Sequence, residues 1–394
     1  MFTPLSAVQA RSMSDLAVAQ LRAGNVAAAR DVFAQLAASD MANAEVHMGL
    51  ARAHHALGAR QDALSAVDAA LALEPRHIGA LVLKGDWLDA QGQATAASFY
   101  QAALKCAARL AAVPREWEAP VAHAQAMCDR YTQRFESTLR AHLATVAPRF
   151  GAPSVRFAQS LDLLTGHKQI YPSAPRLYYF PELPTVQFFD RTQFPWLQRL
   201  EAATDAIRQE LLAVLDDPNA FSPYVQSDTT RAMLNKGGML DNPEWSACFL
   251  WKSGQRMDAN ADRCPATQAA LTEASVVQIP GRSPSVLFSM MRPGAHIPAH
   301  HGFVNTRLIV HLPLIVPPGC RFRVGNESRE WIEGQAWLFD DTIEHEAWNP
   351  SDRTRVVLLF EVWRPELDAA ERAYVSALFE SIDHQRGGVG DWGI

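Results

Sequence analysis

Three glycines, Gly24, Gly58 and Gly92, recur 34 residues apart, and five residues after each stands an alanine: Ala29, Ala63 and Ala97. Two small-residue signals in phase over this span predict stacked helical hairpins rather than a mixed domain at this end of the chain. Each glycine is expected to close an alanine-rich helix with a left-handed backbone turn. Each alanine marks where the next helix approaches its neighbour closely. The middle unit is the clearest, with Leu50, Ala51 and His54 before the turn at Gly58, then Ala63, Val67 and Ala70, and Pro75 beyond.

The unit looks like a tetratricopeptide repeat, and three such units over residues 1–110 imply a solenoid with a concave binding face. Residues 111–170 still read as helix, Trp117 through Phe150 for example, but without the period and punctuated by Pro114, Pro120, Pro148 and Pro153. They are expected to form a helical connector. From Ser173 to Pro184 prolines and aromatics replace alanines, which puts a domain boundary near 170 and a second domain over 171–394. There the positions Trp196, Leu197, Leu200, Ile207, Leu211, Leu212 and Leu215 predict an amphipathic helix between Phe194 and Leu215. After Gly237-Gly238, strand-like runs cover Ser246–Trp251, Ser285–Met291, Thr306–Val316, Arg321–Val324, Gln335–Phe339 and Arg355–Trp363. Short strands separated by turn residues fit a jelly-roll or cupin-like barrel. The fold class is therefore α+β, a helical solenoid followed by a barrel.

A chain of 394 residues has room for two or three domains. Its net charge of −6, without a Lys/Arg block, argues against a nucleic-acid partner. No apolar run reaches the ~20 residues of a membrane span; the longest, Leu308–Pro317, is interrupted by His311. The start, Met1-Phe2-Thr3-Pro4-Leu5, lacks the pattern of a secretion signal, so a cytoplasmic location is expected. Cys106, Cys128, Cys248, Cys264 and Cys320 are odd in number and widely spaced, and are expected to be reduced.

Two histidine clusters carry the chemistry. His296-Ile297-Pro298-Ala299-His300-His301-Gly302 lies upstream, and Phe339-Asp340-Asp341-Thr342-Ile343-Glu344-His345-Glu346-Ala347-Trp348-Asn349 downstream, with His311 between them and Arg355 ten residues after His345. Histidines on strand-like segments point to a metal held inside a barrel. A non-haem iron site uses imidazoles and, usually, one carboxylate. Its common form, H-x-D/E, is absent here, because Gly302 stands two residues after His300.

The ordered series Pro293-Gly294, His300-His301-Gly302, Asn305-Thr306-Arg307-Leu308, His311-Leu312, Asn326-Glu327-Ser328-Arg329, Trp331, Glu333-Gly334, Phe339-Asp340-Asp341, Glu344-His345-Glu346, Trp348 and Trp363-Arg364-Pro365-Glu366-Leu367 resembles the aspartyl/asparaginyl β-hydroxylase family over roughly 180–380. The resemblance implies a double-stranded β-helix that uses Fe(II), 2-oxoglutarate and O2, and in eukaryotic members this domain also follows tetratricopeptide-like repeats. It implies that His300 and His345 bind iron, that Gly302 leaves the third position to a water held by Asp341, and that Arg355, Ser289 and His311 hold 2-oxoglutarate. A guanidinium fork suits the distal carboxylate of that diacid.

Members acting on aspartyl or asparaginyl residues carry a second arginine two positions after the first, whereas here Arg307 is followed at that distance by Ile309. An aliphatic side chain there rejects a desolvated anion. A free amino acid or a lipid acyl chain therefore stands beside a peptide or protein residue as substrate, and the repeats are candidates to present it. Arg307 reads either as a substrate or co-substrate contact or as a buried ion-pair partner, and Trp251 as a candidate substrate contact or as core. Asp341 divides between the role above and, with Asp340, a turn cap. His301 is expected on the opposite face from His300, His296 on the surface, Glu344 and Glu346 in solvent or paired to arginine, and Trp348 and Trp363 in the core. The competing functions are a partner-binding scaffold with a non-catalytic metal-binding barrel, and an oxygenase used for halogenation.

Overall fold

The structure is a computed structural model that describes residues 5–227 and 238–385. Met1 to Pro4 and Gly237, which enter the reading above, lie outside the described residues. The chain divides into two compact units, Met1–Thr165 and Gly166–Ile394.

The first unit is helical. Its hairpins are α1 (Ala7–Arg22) with α2 (Val26–Ala37), α3 (Ala44–Ala56) with α4 (Arg60–Leu73), and α5 (Ile78–Ala90) with α6 (Ala96–Ala107). Gly24, Gly58 and Gly92 all have positive φ, between 71° and 83°. Each ends its helix in the same way. The residue after the glycine donates back to the carbonyl five residues earlier, as in Asn25 N–H to Gln20 O at 2.9 Å, Ala59 to His54 at 3.0 Å and Gln93 to Leu88 at 3.0 Å. This is the glycine-dependent helix stop that the period predicts.

Ala29 and Ala63 are fully buried. In the third hairpin Ala96 is the buried residue and Ala97 is only half-buried. The reason is local: the turn into α6 is tighter, with Ala96 N–H bonded to Gln93 O three residues back, and this rotates the helix by one position. Close approach also explains Gly49 on α3, because a methyl group there would run into the Phe33 ring. Gly49→Ala is expected to cost about 1–3 kcal/mol of stability, read as a lower urea midpoint; an unchanged midpoint would show that the Phe33 contact is slack.

Beyond the hairpins run α7 (Arg115–Ala144), α8 (Ala147–Phe150) and α9 (Val155–Leu164). α7 docks on the third hairpin through Asp86, which accepts from Tyr100 and contacts His123, and Asp89, which accepts from Arg130 and Tyr131.

The second unit is β-rich. The expected helix between Phe194 and Leu215 is two helices, α10 (Leu197–Ala202) and α11 (Thr204–Leu215), broken at Ala203. Further short helices are α12 (Asp258–Ala261) and α13 (Pro265–Leu271), and α14 (Ala369–Gln385) follows the last strand. The strands are β1 (Ser222–Pro223), β2 (Trp245–Lys252), β3 (Gln255–Arg256), β4 (Val286–Met291), β5 (His296–His300), β6 (Arg307–Ile315), β7 (Arg321–Val324), β8 (Glu327–Glu330), β9 (Trp337–Phe339), β10 (His345–Trp348) and β11 (Arg355–Trp363). One sheet runs β1-β2-β4-β11-β6-β9, with β3 on β2; the other runs β5-β10-β7-β8.

The pleat assigns side chains to layers. On β4, β6 and β11 the even positions Val286, Phe288, Leu308, Val310, Leu312, Leu358 and Phe360 pack with Leu197, Ile207 and Leu211 of the helices. The odd positions Leu287, Met291, Ile309, Val357 and Leu359 face Ile297, Phe322, Val324 and Ala347 of the smaller sheet. Between the two sheets is where the chemistry-bearing residues gather.

Candidate active site

His300 ends β5 and His345 begins β10, and the two are direct partners across the strand pair. Their ring centroids are 4.1 Å apart. His300 Nδ1 lies 2.7 Å from Pro298 O and His345 Nδ1 3.0 Å from Ile343 O. In each case a carbonyl two residues back takes the Nδ1 proton, which leaves the Nε2 lone pair available. Burial holds both imidazoles in the neutral form, lowering His300 and lowering His345 well below its ordinary value. Two neutral imidazoles with free Nε2 atoms are donors prepared for a cation.

A side chain at position 302 would collide with the Asp341 carboxylate, so glycine there is a steric requirement. Asp341 is buried. Its Oδ2 lies 3.4 Å from Arg307 Nη2, while its Oδ1 has no partner among the described residues. Burial raises this carboxyl to about 7 against the opposing pull of Arg307. Asp340 plays a different part, accepting from Thr342 N–H at 2.9 Å and from Arg364 at 2.9 Å, the turn-capping role weighed for this pair. Among the described residues no three His, Cys, Asp or Glu converge as a metal cluster.

Arg355, Ser289 and His311 come together on the inner face of the larger sheet. Val357, two residues after Arg355, pairs with Ser289, and Leu359 pairs with His311. Arg355 is 2% exposed. Its guanidinium donates to Ser289 O at 3.3 Å, touches Met291 Sδ and lies 4.4 Å from the Trp331 ring centroid, and its Nε has no partner among the described residues. No carboxylate among the described residues is bonded to it, and burial pushes it down to about 9. The same burial, with Arg355 beside it, holds His311 neutral, and His311 Nδ1 accepts from Trp331 Nε1 at 3.4 Å.

Arg307 is the buried ion-pair partner of the two readings given for it. It pairs with Glu361 and Asp341, and Glu361, fully buried, also accepts from Ser283 Oγ and from Ser285 N–H at 3.0 Å. Trp251 takes the core alternative of the two readings given for it. A register shift in β2 between Phe249 and Trp251 sets its indole against the helix-covered cluster of Leu250 and Val286. His296 stacks on Trp348 at the surface, and Glu344 and Glu346 pair with Arg323.

Two residues, Trp245 and Glu361, escaped the sequence reading, and Trp331 entered it only as part of the family-like series, with no role. Trp245 donates to Ser289 Oγ at 3.3 Å and lies 6.2 Å from His300, Trp331 covers Arg355, and Glu361 neutralises Arg307. Only Glu361 had a local signal, since the alternation 355, 357, 359, 361 puts it on the face of Arg355.

Residues 201–365 match the family model described as aspartyl/asparaginyl beta-hydroxylase. The chain is 36% identical over 189 residues to the ornithine lipid ester-linked acyl 2-hydroxylase of Rhizobium tropici, covering 47% of this chain and 63% of that protein. It is 33% identical over 183 residues to the aspartyl/asparaginyl beta-hydroxylase of Homo sapiens, covering 46% of this chain and 23% of that one. The chain thus spans less than two thirds of either relative. A solved structure of PcrH from Pseudomonas aeruginosa overlies 34% of this chain and 98% of its own at 23% identity, with a TM-score of 0.31, too low to bear on the fold. The matched segment, which lies within the second unit, holds both paired histidines, Arg307, Asp341 and Arg355, and is similar to the aspartyl/asparaginyl β-hydroxylases.

Proposed function

We propose that the second unit is an Fe(II)- and 2-oxoglutarate-dependent hydroxylase on a double-stranded β-helix. The observation that carries this reading is Arg355, a buried cation bonded to no carboxylate among the described residues, on the same sheet face as Ser289 and His311. A buried charge without a partner is strongly unfavourable, so a binding dianion removes a standing cost. The residues fit both groups. His300 and His345 would hold the iron, and the open Oδ1 of Asp341 suits a water beside it. Arg355, the Ser289 hydroxyl and His311 would hold the 2-oxoglutarate carboxylates.

When bound, iron, 2-oxoglutarate and O2 supply the oxidising power that replaces C–H by C–OH, with succinate and CO2 as by-products. The chain's share is to hold and to aim. The carbonyls of Pro298 and Ile343 fix the imidazole tautomers, and Trp245 fixes the Ser289 hydroxyl. Trp331 and Phe322 keep water from the inner face.

The substrate reading follows from charge. Ile309 is buried and apolar, and Arg307 is committed to Glu361 and Asp341, so neither position offers a spare cation to a substrate carboxylate. A neutral C–H segment, such as the acyl chain named for the Rhizobium tropici relative, fits better than peptidyl aspartate. The helical hairpins, tetratricopeptide-like in period, would present a protein or peptide partner.

The test is anaerobic reconstitution with Fe(II), followed by succinate formation from 2-oxoglutarate with an acylated lipid, free amino acids or an EGF-like peptide. Iron-dependent succinate stimulated by one of these, and abolished in His345→Ala, is the expected result. Folded protein that binds no iron and forms no succinate would leave the scaffold reading in its place.

A further inference from the structure

The stretch where the composition changes, Ser173 to Phe180, precedes the family-matched segment and takes no part in the chemistry above. It runs as a strap over the loops of both histidines. On the side that leads to His345, Ala174 N–H donates to Thr342 O at 2.8 Å, and Ser173 Oγ is hydrogen-bonded to Thr342 Oγ1 at 2.6 Å. On the side that follows His300, Arg176 N–H donates to Gly302 O at 3.0 Å, and Leu177 and Tyr178 donate to Phe303 O at 2.9 and 3.1 Å. Tyr178 forms a parallel bridge with Val304, and the Asn305 amide takes both Phe180 N–H at 2.7 Å and Phe180 O at 2.8 Å. The Arg176 guanidinium lies 4.7 Å from the Phe303 ring centroid. One short segment thus bonds the backbone two residues after the first histidine and three residues before the second.

β10 pairs in unbroken register with β7, and Gly302 N–H donates directly to Asp341 O at 2.6 Å, so the strap adds to contacts the sheet and the two loops already make. The β5–β10 register is interrupted between His345 and Ala347, beside the second histidine, and His300 is the last residue of its strand. With glycine at position 302, the chain has two side-chain anchors where a common iron site has three, so the spacing between them depends more on what holds their loops. We propose that the strap Ser173–Phe180 is the positioning element of the two-histidine site, and that Ser173 and the Ala174 N–H, through Thr342, hold His345 in register with His300 for a divalent cation. This inference rests on the metal reading given above.

Co(II) is the probe, titrated anaerobically into the full metal-free chain and followed by its d–d absorption, with thermal unfolding of each metal-free form alongside. The variants are Ser173→Ala/Ala174→Pro, which removes both strap bonds to Thr342, Ser173→Ala alone, and Tyr179→Ala, which trims an exposed strap side chain. The double variant is expected to bind Co(II) about ten-fold more weakly, with an altered d–d band and an unfolding midpoint like that of the wild type. Ser173→Ala is expected to move the same way by a smaller factor, and Tyr179→Ala to match the wild type. Wild-type affinity and spectrum in the double variant would overturn the proposal, as would a loss of affinity matched by an equal loss of metal-free stability. Should the proline variant fail to fold, wild-type affinity in Ser173→Ala overturns it. A wild-type chain that binds no Co(II) overturns the metal reading itself, which separates the two failures.

Discussion

Arg355→Met is expected to abolish 2-oxoglutarate-dependent succinate formation while leaving the protein without co-substrate as stable as the wild type or more so. The two effects share a cause. Arg355 is buried against Ser289 O, Met291 and Trp331 with no carboxylate bonded to it among the described residues. Replacing a buried charge by an apolar group of similar volume is often neutral or stabilising by about 1–4 kcal/mol. Removing the cationic half of a buried pair from a bound dianion costs about 2–5 kcal/mol, or roughly 30- to several thousand-fold in affinity. The pH dependence carries a definite sign. The folded-state value of about 9 lies below that of an exposed guanidinium, so the native state sheds this proton more readily than the unfolded chain. The cost is present in full below pH 9 and is relieved as pH rises through it. The stability advantage of Arg355→Met should therefore narrow above that pH. Denaturant midpoints with and without 2-oxoglutarate, at pH 7.5 and pH 10, make the check. A variant markedly less stable than the wild type in the absence of co-substrate would show that Arg355 is a structural residue.

Glu361→Gln is expected to have the largest effect on stability. Glu361 is fully buried, pairs with Arg307 and accepts from Ser283 Oγ and Ser285 N–H. The amide keeps the shape and removes the charge that Arg307 meets most closely, leaving the Asp341 contact at 3.4 Å. Breaking a buried pair from one side costs about 3–5 kcal/mol, a fall of roughly 10 °C in the unfolding midpoint for a unit of this size. The double change Arg307→Met/Glu361→Leu should recover much of that loss, because it leaves no uncompensated charge on either strand. Thermal unfolding of Arg307→Met, Glu361→Leu and the double closes the cycle. Additive losses would mean that the pair is not coupled.

Much of the fold was legible in the sequence because its determinants are local and periodic. Gly24, Gly58 and Gly92 each end a helix by the same left-handed turn, and that conformational demand is written in residue type. Strand alternation placed Arg355 inward, and residue types in order marked His300 and His345. The misses have one physical origin. The Ala97 position rotates at a tightened turn, and the helix over Phe194–Leu215 breaks at Ala203. Each departs from strict period by a single residue, and no pattern announces a single-residue slip in advance.

By itself the amino-acid sequence determined the helical period, the strand-rich second half, the paired histidines, and a glycine where a carboxylate is common. Tertiary structure alone decided the charge pairing. Arg307 and Arg355 are both inward arginines of the same sheet, yet one meets Glu361 and Asp341 while the other meets a methionine, a tryptophan and a backbone carbonyl. Which buried cation is neutralised depends on partners 34 and 54 residues away for Arg307. Only the register of β6 against β11, and of the Asp341 turn against both, brings those carboxylates within reach of one guanidinium and not the other.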